Sequence, residues 1–202
     1  IADSVGTRLV SETDLLALCD GPPISDTPTA EGLKDVTRVA AGIDWSGGGR
    51  GGHSTTVLVI LGRLTNGKHR VLYYKIWAGV HAVQENEEIR KVIANYAARY
   101  QLLVGGDAGE GNSNMDMIRE SVRNPERVVK FRYSGTARAY VAWDKVANEY
   151  TVRRTVAIDS AMMAFLRKEV QFPASGIPAL RGGPFKHILA EYEESTSKEG
   201  AG

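Results

Sequence analysis

Two aspartates stand where strands are expected to end. The run Val36, Thr37, Arg38, Val39, Ala40, Ala41, Gly42, Ile43 stops at Asp44, and the run Leu102 to Gly106 stops at Asp107. A carboxylate is a poor strand residue, and at the mouth of a buried strand it is costly unless something cationic meets it. Carboxylates suit magnesium and manganese, hard ions that keep waters and take phosphate oxygens as further ligands. A pair of such ions about 4 Å apart serves to activate water and to stabilise the leaving oxygen of a phosphodiester. An isolated aspartate more commonly caps a loop. Here both are glycine-flanked, in Gly42-Ile43-Asp44 and Gly106-Asp107-Ala108-Gly109, and two such strand ends side by side in one sheet would make a pocket for divalent metal.

The pattern of the chain supplies that sheet. Val36 to Trp45, Ser54 to Leu64 and His69 to Trp77 read as three strands, the last two joined through Asn66-Gly67, a strong hairpin signal because both turn positions favour positive φ. Ile89, Val92, Ile93, Tyr96 and Ala97 give Glu85 to Tyr100 a helical stripe. A strand to Asp107, a helix over about Ser113 to Val122 and a strand over Val128 to Tyr133 follow. The stretch to Val152 has no clear period. Thr155 to Val170 reads as a helix stopped by Phe172-Pro173, and His187 to Glu194 as a last strand. The order predicts an α/β fold, a mixed central sheet with an antiparallel meander, flanked by helices. The first strand is central if the second and third fold to one side of it and the later ones to the other, which brings Asp44 beside Asp107. Before this, Ser11-Glu12-Thr13-Asp14 caps a short helix through Leu18, and residues 1–35 read as a linker or approach segment to a domain over 36–202.

Two glycine motifs are decoys. Gly47, Gly49 and Gly52 satisfy G-x-G-x-x-G, but a strand follows where the dinucleotide motif needs a helix N-terminus. Gly62, Gly67 and Lys68 satisfy G-x-x-x-x-G-K, but His69 replaces the magnesium-binding hydroxyl and the segment is a hairpin. The loop Ser46 to Gly52 makes better sense as clearance for a bulky polyanion, with Arg50 able to contact a phosphate. His53 and His187 have metal- or phosphate-contact chemistry, though packing histidines are commoner. Trp45 reads as packing, and Asp116 and Asp159 as helix-surface residues.

Formal charge is +1 over 202 residues, so any basic surface has to be local. Between Lys130 and Arg154 there are six basic residues (Lys130, Arg132, Arg138, Lys145, Arg153, Arg154) against two acids, a stretch suited to holding a phosphate backbone with little sequence readout. One cysteine, Cys19, excludes an internal disulfide and a thiolate cluster. No apolar run approaches the roughly 20 residues of a membrane span, so a soluble, cytoplasmic protein is expected.

At these residues a resemblance emerges. Ala41-Gly42-Ile43-Asp44-Trp45-Ser46-Gly47-Gly48, followed by Ser54-Thr55 and an apolar strand, resembles the first metal motif of the nuclease domain in large terminase subunits of tailed bacteriophages. Val104 to Asn112 is similar to the second acidic motif, and Arg154-Thr155 with the following helix and Val170-Gln171-Phe172-Pro173 resembles the segment after it. The resemblance implies a ribonuclease H-like fold and a metal-dependent endonuclease that cuts double-stranded viral DNA during capsid filling. It further implies Mg2+ or Mn2+ as cofactor, the portal and small terminase subunit as partners, and the host cell cytoplasm as location. Asp44 would bridge two metals and Asp107 bind one. The family's third carboxylate lies in an Asp-Asp pair near a closing helix; the chain stops at Gly202 before such a pair, and no residue is assigned to that role. Rival readings are a Holliday-junction resolvase or other ribonuclease H-like nuclease, and a non-catalytic docking domain of the packaging motor.

Overall fold

Alternation along the nine residues of β1 (Val36–Asp44) sorts the molecule into two sides. Val39, Ala41 and Ile43 are buried, while Arg38, Gly42 and Asp44 point the other way and are exposed. In the computed structural model, which describes residues 12–45, 55–78, 82–109, 111–135 and 140–174, β1 lies inside an eight-stranded sheet. On one flank β2 (Thr55–Leu64) runs antiparallel to it, and β3 (His69–Ala78) runs antiparallel to β2. Parallel to it on the other run β4 (Leu103–Asp107), β5 (Val128–Ser134) and β7 (Glu149–Arg153), with a short β6 (Val141–Asp144) antiparallel to β7 at the edge. The spatial order is β6-β7-β5-β4-β1-β2-β3-β8, with β8 being Val170–Gln171. The expected mixed sheet with its antiparallel meander is present, and β1 does divide the meander from the parallel strands.

The side bearing Val39, Ala41 and Ile43 is the core. Leu58 and Ile60 of β2 and Val104 of β4 join it, and two helices close it: α2 (Ala82–Ala97) through Ile89, Val92, Ile93 and Tyr96, and α3 (Asn112–Ser121) through Met115 and Ile118. Each such side chain stabilises by about 1.5–3 kcal/mol on leaving water, so truncating Ile60 or Ile89, both fully enclosed, costs about 2–5 kcal/mol. On the other side, α1 (Glu12–Leu16) and α4 (Arg154–Leu166) cover only the β2–β3 flank, where Leu15, Leu18, Cys19, Val71 and Phe172 pack with Met162 and Phe165. Among the described residues, β1, β4 and β5 expose on that side the floor of a cavity that no helix residue lines.

Residues 12–35 are fastened to the sheet. Gly21 N–H donates to Phe172 O, Phe172 N–H to Leu18 O, and Ser25 N–H to Leu72 O. The Tyr96 hydroxyl donates to Ser25 O at 2.8 Å; burial raises its pKa to about 12 and keeps it a donor.

Three local expectations change. At the Asn66-Gly67 turn only Gly67 takes positive φ (85°), because Leu64 O accepts from Gly67 N–H and Leu64 N–H donates to Lys68 O, a longer loop than a two-residue hairpin. The unassigned stretch contains the β6–β7 hairpin, turned by the Asp144 carboxylate accepting from Val146 and Ala147 N–H and by Asn148 at φ 52°. Helix α4 ends at Leu166, before Phe172-Pro173. Lys168 adopts φ 54°, its N–H donates to Phe165 O, and Glu169 N–H donates to Ala164 O, a left-handed helix cap that frees Val170–Gln171 to pair with β3. The expected strand over His187 to Glu194 lies outside the described residues.

Candidate metal centre

Parallel pairing aligns Ile43 with Gly106, so the next residues, Asp44 and Asp107, end neighbouring strands at the same level and on the same open side. Adjacent strands run about 4.8 Å apart. A cavity of about 400 Å³ begins here, bounded by both aspartates, Gly42, Gly105, Phe131 and Tyr133. Its depth depends on glycine. A Cβ on Gly105 would lie 2.2 Å from the Phe131 ring, whereas one on Gly42 would meet nothing within 4 Å.

Glycine also positions Asp107 from below. A Cβ on Gly106 would lie 2.3 Å from the Met115 sulfur, and one on Gly111 would lie 1.9 Å from the Trp45 indole, so the end of β4, the start of α3 and Trp45 press together. Trp45 is buried packing, as expected. Asp107 accepts from Gly109 N–H through Oδ2 at 2.9 Å, which fixes its rotamer. Asp107 thus caps its own loop while bounding the cavity.

The electrostatics record the crowding. Burial and then the Asp107 carboxylate push Asp44 above the ordinary carboxylate range, while Arg154 at the start of α4 pulls it back. Solvent still reaches Asp44, so the shift marks a cleft mouth rather than a sealed interior. Tyr133 is raised by burial, then by Asp44 and Asp107, and is opposed by Arg154. The sequence pattern did not single out Tyr133; its alternation with Phe131 on β5 was the available signal.

The other expected contacts divide. Arg154 faces the carboxylates. Arg132 is fixed chiefly by a two-pronged bond to Glu149, at 2.6 and 3.2 Å, with Asp107 a smaller attraction. Lys130 is held by Asp116 at 2.7 Å and by Asn112. Arg153 lies over the Tyr140 ring at 5.0 Å. Lys145 sits in the β6–β7 turn, just before β7, whose second residue Tyr150 stands level with Phe131 and Asp107 two strands away. Arg50, Arg138, His53 and His187 lie outside the described residues. Among the described residues no third His, Cys, Asp or Glu completes a cluster with the two aspartates. No helix among them is long and apolar enough to cross a membrane. Two neighbouring carboxylates are hard oxygen donors, fitted to a divalent ion that keeps water in its remaining positions.

The fold has counterparts among solved structures. The chain is similar to the human cytomegalovirus terminase nuclease domain, with a TM-score of 0.54 and 13% identity over 92% of this chain and 85% of that one. The HK97 bacteriophage large terminase also matches, with a TM-score of 0.44 and 15% identity over 82% of this chain, which spans 34% of that protein. No family model and no curated protein matches the sequence. The chain therefore shares the mixed α/β fold of the cytomegalovirus domain, the architecture its pattern led one to expect. At 13% identity the likeness is one of fold.

Proposed function

We propose that this chain is the nuclease domain of a large terminase, a divalent-metal-dependent endonuclease that hydrolyses double-stranded DNA during viral genome packaging in the host cell cytoplasm. The observation that carries the reading is the pair Asp44 and Asp107, one register step beyond Ile43 and Gly106 on adjacent parallel strands of a terminase-nuclease fold. Asp44 and Asp107 would hold the metal, Mg2+ or Mn2+. Bound there, two ions supply an activated water and charge stabilisation at the leaving oxygen.

The chain's own residues do the rest. Gly109 N–H holds the Asp107 carboxylate in place. Arg154, beside Asp44, is set to contact a backbone phosphate flanking the cut, and Arg132, braced by Glu149, is a further duplex contact. Tyr133 remains an uncharged O–H at neutral pH and can donate to a phosphate oxygen. Arg50, Lys130, Arg138, Lys145 and Arg153 complete the proposed duplex contacts, and the portal and small terminase subunit are the proposed protein partners.

The test is cleavage of linear double-stranded DNA by the purified chain with Mn2+. The wild type should cut, and Asp44→Asn should cut at least about 10²-fold more slowly. Equal cutting by the variant, or cutting confined to four-way junctions, would overturn the reading.

A further inference from the structure

Along the open side of the sheet, six residues before Asp44, the charge changes sign. Arg38 of β1 pairs across to Arg63 of β2, and Arg63 pairs across to His69 of β3, so three basic side chains stand in one row over three neighbouring strands. Like charges directly opposite one another in a sheet are destabilising. Arg99, after α2, and Arg127, before β5, complete the walls of a groove of about 850 Å³ with a floor of Ala40, Leu61 and Leu103. Four arginines and a histidine line this groove, and no carboxylate does. Arg127 donates to Gln101 O and Oε1. Among the described residues no ion pair joins Arg38, Arg63 or Arg99 to an acid.

A cationic row with no acid beside it is an incomplete site. Its chemistry is specific: guanidinium groups present planar forks that match phosphate oxygens, and Arg38 and Arg63 alternate away from the core along β1 and β2. The floor residues Ala40, Leu61 and Leu103 also bound the cavity at Asp44 and Asp107, so the two hollows are continuous. At about 3.3 Å per residue, Arg38 lies roughly 20 Å from Asp44, the axial length of about six base pairs.

We infer that the Arg38–Arg63–His69 row, with Arg99, is a second nucleic-acid contact that grips backbone phosphates at a distance from the cutting site. It deepens the nuclease reading and rests on it for the identity of the polyanion. Its grip requires neither metal nor the carboxylates. An acidic peptide is the competing ligand. The row's regular phosphate-type donors and its continuity with the carboxylate cavity favour the nucleic acid.

The test is fluorescence anisotropy of the full chain with a labelled 20-base-pair duplex, in EDTA, over a series of salt concentrations. The double variant Arg38→Gln/Arg63→Gln should bind more weakly, by about tenfold or more at low salt, and its log K against log salt slope should fall by about 1.8, the value for two lost phosphate contacts. The exposed α2 pair changed in Arg90→Gln/Lys91→Gln removes the same charge and should leave the slope nearly unaltered. An unchanged slope in the first variant, or an equal fall in both, overturns the inference. So does tighter, Arg38- and Arg63-dependent binding of poly-glutamate than of the duplex. Failure of the nuclease reading would look different: the wild type would bind DNA with the same slope and leave it uncut in Mn2+.

Discussion

The two ends of the open side of the sheet make the same kind of bargain with opposite charge. At the carboxyl ends of β1 and β4, Asp44 and Asp107 stand side by side; six residues back, Arg38 and Arg63 face each other with His69 beyond. Both juxtapositions oppose folding of the unliganded chain. They differ in relief, since Arg154 partly offsets the aspartates while no acid lines the arginine groove. They differ also in support. Asp107 is held by Gly109 and backed by the packed Gly106–Met115–Trp45 contact, whereas Arg38 and Arg63 are exposed on strand surfaces. A braced pair of acids suits chemistry at a fixed atom, and a row of exposed guanidinium groups suits a grip on many equivalent phosphates.

The largest effect that separates the ends is on cutting. Asp107→Asn should slow cleavage of duplex DNA by on the order of 10²–10³-fold while leaving metal-free DNA affinity within about twofold of wild type. Arg38→Gln/Arg63→Gln should do the reverse, keeping the rate at saturating DNA and raising the concentration needed to reach it. Single-turnover rates measured over a range of enzyme concentrations give both numbers. If both variants lose rate at saturation, the ends are one site and the comparison fails.

How far the sequence reached follows from the kind of information each feature needed. The juxtaposition of Asp44 and Asp107 was legible because short-range order decided it: an antiparallel meander, then a crossover helix returning parallel to β1. The β6–β7 hairpin was not, because its strands are four and five residues long and show no alternation of burial. The end of α4 was missed because Lys168, rather than glycine, takes the left-handed cap. The arginine row was invisible for a different reason. Arg38, Arg63 and His69 follow no motif spacing, and they align only through the pairing register, which shifts at an irregularity between Val36 and Arg38.

A smaller effect concerns stability without metal. Because Asp44 titrates above its ordinary value, the folded chain binds its proton more tightly than the unfolded chain does. Its contribution is fully present below the ordinary carboxylate value and is lost as pH rises through the raised one. Asp44→Asn should therefore melt higher than wild type at pH 7 in EDTA, by on the order of 1–2 °C given the exposure of the group. The difference should close as the pH approaches 4. Added Mn2+ should reverse the order, stabilising the wild type alone. A variant that melts lower at pH 7 in EDTA would mean that Asp44 is satisfied without a cation.

The smallest effect tests the arginine end in the same way. Arg63 lies between Arg38 and His69 in the pairing register, so Arg63→Gln removes the central charge of the row and its like-charge contact with Arg38. Each exposed pair is worth a few tenths of a kcal/mol, so the melting temperature in low salt should rise by about 1 °C or less. Salt screens exposed charges within about 10 Å at 0.1 M, and the gain should vanish at about 0.5 M. Duplex DNA should stabilise the wild type more than the variant, since only a ligand that binds the folded state through the row restores what the row costs. A lower melting temperature for the variant at low salt would show that Arg63 has a structural partner, and the like-charge argument for this end would fall while that for Asp44 and Asp107 stood.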